Sequence, residues 1–313
     1  MSNETAKEVA RFIKDTASNK ISIQWYGGEP LYNDSVIDII CNFLRENGIV
    51  YTSSMITNGY LLDKPVIEKA KDLWNVERVQ VAIDGTEETY NRCKAYIYKD
   101  DVSPYRRVIS NIKEALDADI KVSVRVNMDN HNVKEMYELV DELWHYFGEY
   151  EGFSVYAAGL YENVGPNNPV RTAQSRMELT DNLIAFEEYC SQKGLKIHRK
   201  FSDKLTLNRC MADNRKSVTI SQDGLLGKCD HLMETDTFGS VFSDRVDTSI
   251  LASFRERLNT REMCGKCPVY PECIRLRKCK DDGGGCDAAY QKLKIYKTRR
   301  RIENVLKNKN KAE

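Results

Sequence analysis

Residues 21–30 read Ile21-Ser22-Ile23-Gln24-Trp25-Tyr26-Gly27-Gly28-Glu29-Pro30. Ile21 to Tyr26 is rich in β-branched and aromatic residues and reads as a strand. Gly27 and Gly28 then end it and leave room for a ligand to approach the backbone closely. Glu29 places a carboxylate at the strand end. The plain alternative is a strand-to-helix turn with an acid at the helix N-terminus.

Working outward, the strand pattern recurs. Val50 to Thr57, Val79 to Ile83, Ile120 to Val126 and Phe153 to Ala157 are further β-branched and aromatic runs. Helical spacing lies between them: Val36, Ile37, Ile40, Phe43 and Leu44; Val108, Ile112, Ala115 and Leu116; Met136, Leu139, Val140 and Leu143. Strand and helix in alternation predict parallel strands with right-handed crossovers. A barrel or open sheet of this kind carries its sites at the C-terminal ends of the strands. Ala6, Val9, Phe12 and Ile13 form an amphipathic helix with no strand pattern ahead of it. The expectation is a chain that begins inside a domain.

The chain has 313 residues, 41% apolar and 30% charged, with net charge zero. This is the composition of an ordinary globular protein of one large and one small domain. Zero net charge argues against a whole-surface nucleic-acid footprint. The sequence has no apolar run of membrane-spanning length. Its N-terminus, MSNETAKEVARFIKD, has no secretory apolar core, so the expected location is the cytoplasm.

In a reducing compartment ten cysteines call for explanation. Cys41, Cys93 and Cys190 are scattered and read as incidental or buried thiols. Seven lie in one block, spaced Cys210-x13-Gly224-x4-Cys229, then Cys264-x2-Cys267-x5-Cys273-x5-Cys279-x6-Cys286. Such a cluster points to metal rather than disulfides. Zinc and iron–sulfur clusters both suit thiolates, and spacing leaves both open. Closed zinc sites want four ligands each. A [4Fe–4S] cluster tolerates three cysteines, so seven thiolates divide naturally between two clusters, with His231 available for a vacancy. Strand–helix alternation stops near residue 195. Ser217 to Ser221 and Leu225 to Lys228 flank Asp223-Gly224, a hairpin signal. Residues 288–307 read as a basic helix, whose run Lys297 to Arg301 is a solvated face rather than a nucleic-acid site. The expected divisions are 1–195, 196–287 and 288–313.

The cysteine order resembles the SPASM signature of radical S-adenosylmethionine (SAM) enzymes, departing from it only in five rather than three residues between Cys273 and Cys279. Trp25 to Pro30 resembles the GGEP motif of the same enzymes. Thr57-Asn58-Gly59, Ala82-Ile83-Asp84-Gly85 and Arg125-Val126-Asn127 resemble their later strand ends. The resemblance implies an α/β fold: a partial (β/α)6 TIM-like radical SAM barrel missing its first strand, followed by a small Cys-rich SPASM domain. It implies SAM contacts from Gly27, Gly28, Glu29, Pro30, Asn58, Asp84, Arg125 and Asn127, with Glu29 facing the methionyl ammonium. It implies two auxiliary [4Fe–4S] clusters, one on Cys264, Cys267, Cys273 and Cys286 and the other on Cys210, Cys229 and Cys279. Asp230 corresponds to a proposed proton acceptor of sulfatase-maturing relatives. The implied activity is oxidative maturation of a ribosomally made peptide by a thioether or carbon–carbon crosslink. A peptide or protein substrate and an electron donor such as flavodoxin or ferredoxin would be partners. Anaerobic sulfatase maturation is the alternative within the family. A zinc-ribbon interaction module on a degenerate barrel is the alternative outside it.

The Cys-x3-Cys-x2-Cys loop that holds the SAM-reducing cluster in this family is not in the sequence, whose first cysteine is Cys41. The expectation is a truncated or misassigned start, and a 313-residue chain that does not cleave SAM alone.

Overall fold

A computed structural model describes residues 1–17, 20–94, 103–160, 173–195, 211–255, 266 and 288–309. They fall into two compact units. One spans Ser18–Arg199; the other joins Met1–Ala17 to Lys200–Glu313.

The first unit is a five-stranded sheet in the order β1-β2-β3-β4-β5, parallel throughout. Its strands are β1 (Lys20–Trp25), β2 (Val50–Thr57), β3 (Val76–Ile83), β4 (Lys121–Met128) and β5 (Phe153–Gly159). The sheet thus contains all five strands expected from the sequence, with β3 to β5 extended by a few residues. In chain order its helices are α2 (Asp34–Glu46), α3 (Lys64–Asp72), α4 (Glu87–Lys94), α5 (Pro104–Asp117), α6 (Val133–Phe147) and α7 (Ala173–Gln192). The apolar periodicity anticipates α2, α5 and α6. It passes over α3 and α4, which have few buried positions, and α7.

Local chemistry sets the helix ends. Asp63 and Ser103 cap α3 and α5 through their side chains, each followed by a proline in the first turn. At the end of α5, Asp119 takes a left-handed φ of 63°. There the Ile120 N–H reaches the Ala115 carbonyl at 3.0 Å and the Asp119 N–H reaches Leu116 at 3.0 Å, which aims the chain into β4.

Strand alternation gives the sheet two unlike faces. Val79, Val81, Ile83, Val122, Val124, Val126 and Met128 are fully buried, as are Ile112, Met136, Leu139, Val140 and Leu143 on α5 and α6. Each such side chain contributes roughly 1.5–3 kcal/mol on burial. The opposite face carries Ser22 and Gln24 of β1, Ser54 of β2, Gln80 of β3, Ser123, Arg125 and Asn127 of β4, and Ser154 and Tyr156 of β5. Parallel sheets normally bury two apolar faces. A polar second face is what an α/β barrel needs where its interior serves a ligand. This half is an α/β partial barrel.

In the second unit, helix α1 (Asn3–Thr16) is capped by Ser2, whose Oγ accepts from the Thr5 N–H at 3.0 Å. A three-stranded antiparallel sheet of β6 (Thr219–Ile220), β7 (Leu225–Gly227) and β8 (Thr237–Ser240) follows the hairpin signal. Gly224 has φ +80° in its turn, a conformation L side chains rarely adopt. The short helix α8 (Thr248–Ser253) and the basic helix α9 (Ala288–Lys309) complete the described part. Ala212, Leu232 and Phe254 form a small core with Cys229 and Ile250 against it. Among the described residues no helix is long and apolar enough to cross a membrane.

Candidate functional site

The polar side chains of the first unit concentrate at the C-terminal ends of its strands and are braced there. Glu29 follows β1, and its carboxylate accepts three hydrogen bonds. Leu31 N–H donates to Oε1 at 3.0 Å, Thr57 Oγ1 to Oε1 at 2.6 Å, and Asn58 N–H to Oε2 at 2.7 Å. A carboxylate offers about four lone-pair directions, so Glu29 is mostly committed to joining the β1 turn to the end of β2. A Cβ added at Gly27 or Gly28 would meet no atom within 4 Å, so the backbone of this turn faces open space.

The Asn58 turn is held from behind. Asn58 Oδ1 accepts from Tyr60 N–H at 2.8 Å. Asn111 on α5, 5% exposed, donates Nδ2 to the Gly59 carbonyl at 2.8 Å and to Tyr60 at 3.2 Å. Arg107 donates to the Tyr60 carbonyl at 3.1 Å and lies over the Tyr60 ring.

After β3, Asp84 Oδ1 accepts Nδ2 of Asn127 at 2.5 Å, and its Oδ2 pairs with Lys94 Nζ at 2.7 Å. Glu135 of α6 fixes the chain two residues on, accepting from both the N–H and the hydroxyl of Thr86 at 2.9 Å. Tyr156 of β5 donates to Gln80 Oε1 of β3 at 2.8 Å across the same polar face. Gly27, Gly28, Glu29, Pro30, Asn58 and Asp84 therefore lie just past strand ends of one sheet, Asn127 near the end of β4, and Arg125 within β4 opposite Tyr156 of β5.

On β4 three buried polar atoms have no hydrogen-bond partner among the described residues: Ser123 Oγ, Arg125 Nε and Asn127 Oδ1. They alternate along one face of one strand, spanning roughly 13 Å. Buried polar atoms are nearly always satisfied, so this row makes β4 the candidate ligand face. A hydroxyl, a guanidinium N–H and an amide oxygen suit a zwitterionic nucleoside such as SAM, with carboxylate, hydroxyl and amino groups. The period-two pattern Val122-Ser123-Val124-Arg125-Val126-Asn127 carries this face in the sequence. Ser123, Gln80 and Tyr156 were nevertheless outside the sequence-derived set. Lys94 and Asn111 act through other residues and leave no local motif.

In the second unit Cys229 is the described member of the cysteine framework. Cys210, Cys264, Cys267, Cys273, Cys279 and Cys286 lie outside the described residues. The Cys229 thiol is half-buried, 3.8 Å from Oδ1 of exposed Asp230. Lys228 beside it is 6% exposed, and its ammonium donates to the Asn214 carbonyl at 2.5 Å and to the Ser217 carbonyl. That bridge ties the strand leading to Cys229 to the segment after Cys210. Ala212 packs in the same small core as Cys229. An accessible thiol backed by this anchorage suits a metal ligand better than the sealed thiols do. Cys41 and Cys190 are buried, and burial pushes each thiol up to about 12.

The fold and the braced strand ends define an α/β protein with a candidate ligand site at the C-terminal ends of a parallel sheet. Residues 1–143 match the model of the radical SAM superfamily. A GTP 3',8-cyclase of Clostridium perfringens is 27% identical over 139 residues, 44% of this chain and 41% of that protein. The match thus spans less than half of that relative. The solved structure of native anSMEcpe with bound AdoMet aligns over 98% of this chain and 91% of its own, at TM-score 0.68 and 18% identity. Streptococcus suis SuiB aligns over 82% of this chain and 63% of its own, at TM-score 0.56 and 16% identity. Both have also been solved with peptides, anSMEcpe with Cp18Cys peptide and SuiB with its precursor peptide SuiA. At such identities the likeness is one of fold.

Proposed function

We propose that this chain carries the SAM-binding sheet and the auxiliary-cluster domain of a radical SAM/SPASM oxidoreductase. Its reaction would mature a ribosomally made peptide by forming a thioether or carbon–carbon crosslink. The row of unpartnered atoms on β4, opening at strand ends braced by Glu29, Asn111 and Asp84, carries the SAM reading. Fold likeness along nearly the whole chain to an AdoMet-bound structure supports it. The peptide-bound structures of both neighbours support a peptide as substrate.

When bound and cleaved by one-electron reduction, SAM would supply hydrogen-atom abstraction and the auxiliary clusters would accept electrons, with flavodoxin or ferredoxin as the outside electron donor. The chain's own residues do the positioning. Glu29 holds the turn that presents the Gly27-Gly28 backbone. Arg125 offers a cation for the SAM carboxylate, and Asn127 an acceptor for a nucleoside donor. Asn58 and Pro30 shape the rim. Cys264, Cys267, Cys273 and Cys286 would hold one cluster, and Cys210, Cys229 and Cys279 the other. Asp230, exposed beside Cys229, is the proton acceptor if the substrate is instead a sulfatase.

The test is anaerobic equilibrium dialysis of the chain against labelled SAM. Saturable binding that falls at least about tenfold in Arg125→Ala is expected. Absence of binding, or equal binding by the variant, contradicts the proposal.

A further inference from the structure

Asn127 has one atom whose orientation chemistry fixes. Its amide lies 2.5 Å from Asp84 Oδ1, and a carboxylate can only accept. The nitrogen must therefore face Asp84. The oxygen is left on the other side, buried and without a partner among the described residues. An amide turned the other way would set two acceptors against each other.

Asp84 is held in turn by Lys94, whose Nζ sits 2.7 Å from Oδ2, with the two side chains 24% and 23% exposed. Lys94 Nζ also lies 5.8 Å from the centre of the fully buried Tyr90 ring, which gives it a fixed surface to rest on. Both Asp84 oxygens are thus engaged, one by each neighbour. This residue is a link between Lys94 and Asn127 more than a direct ligand contact.

We infer that Lys94 is a positioning residue: through Asp84 it fixes the Asn127 amide with its oxygen on the ligand face. This position then takes a ligand hydrogen-bond donor, a hydroxyl or amino group of a nucleoside. The inference rests on the SAM reading of that face for its ligand class alone; the Lys94–Asp84–Asn127 chain stands on geometry. A negatively charged or acceptor-only group is excluded there, which separates this point from Arg125 Nε two residues earlier on the strand.

Two measurements on the full chain test it. In the unliganded protein, the ¹H–¹⁵N signal of the Asn127 side-chain amide should show one strongly deshielded proton, identified by its loss in Asn127→Asp. Lys94→Met should move that proton toward the free-amide position, and Lys94→Arg should restore it. Calorimetric titration with S-adenosylhomocysteine should show about tenfold weaker binding to Lys94→Met and near-native binding to Lys94→Arg, with unchanged melting temperatures. An amide signal indifferent to Lys94→Met overturns the inference. So does a lower affinity that Lys94→Arg fails to rescue. If the wild-type chain does not bind S-adenosylhomocysteine while the amide responds as expected, the SAM reading falls and the positioning role stands.

Discussion

Asn58 donates its backbone N–H to Glu29 Oε2 at 2.7 Å, so one carboxylate closes the turn after β1 onto the end of β2. The same carboxylate takes the Thr57 hydroxyl and the Leu31 N–H. Hydrogen bonds to an ionised acceptor contribute about 1.5–3 kcal/mol each, less where water competes. Glu29→Ala should therefore cost the domain about 2 kcal/mol. It should also speed hydrogen exchange at the Leu31 and Asn58 amides more than elsewhere. Unfolding in urea and residue-resolved exchange measure both; uniform exchange across the sheet would remove Glu29 as the clamp.

Asn111 makes a similar case from behind the site. Its amide satisfies the Gly59 and Tyr60 carbonyls inside the protein. Asn111→Leu leaves the Gly59 carbonyl only the longer 3.3 Å bond from the Leu62 N–H, and the Tyr60 carbonyl only Arg107, and should lower stability by about 1 kcal/mol. SAM affinity should fall with it, because the Asn58 turn loosens. Thermal melts and binding isotherms on one preparation check the two effects together.

The fold was largely legible in the sequence, for a physical reason. The five strands carry β-branched runs whose alternate members fill the buried face of the sheet, and α2, α5 and α6 carry a clear apolar stripe. Helices α3 and α4 bury few residues and so print almost no periodicity. The strand-end motifs located the candidate site because they are local. Lys94 and Asn111 reach it through Asp84 and through the Gly59 carbonyl, contacts between residues distant in the chain that no short motif encodes. Glu29 was legible as a candidate site residue, while its commitment to Thr57 and Asn58 needed the fold.

Thiol chemistry separates structural from available cysteines. Cys41 and Cys190 are buried and pushed up to about 12, chiefly by burial. Cys93 is exposed and Cys229 half-buried. Brief iodoacetamide treatment of native, metal-free protein near neutral pH should label Cys93 and Cys229 and spare Cys41 and Cys190. Peptide mass mapping reads the outcome. Metal loading should then protect Cys229 but not Cys93.

A pH effect is expected at the far end of α5. Asp117 is held below its ordinary carboxylate value, first by Lys113, 2.7 Å away, and then by the Tyr150 hydroxyl at 2.6 Å. A depressed carboxylate adds stability above its unfolded value and loses it as pH falls through the folded one. Wild type and Asp117→Asn should therefore differ in urea midpoint near neutrality and converge in acid. A constant difference down to acid pH would place the effect in packing rather than charge.

The most direct test of the account is the metal content of the chain after anaerobic reconstitution with iron and sulfide, read by elemental analysis and Mössbauer spectroscopy. Two [4Fe–4S] clusters predict about eight iron and eight sulfide per chain. Cys229→Ala should reduce one cluster's signal and leave the other. A colourless protein with stoichiometric zinc and no sulfide would contradict the account.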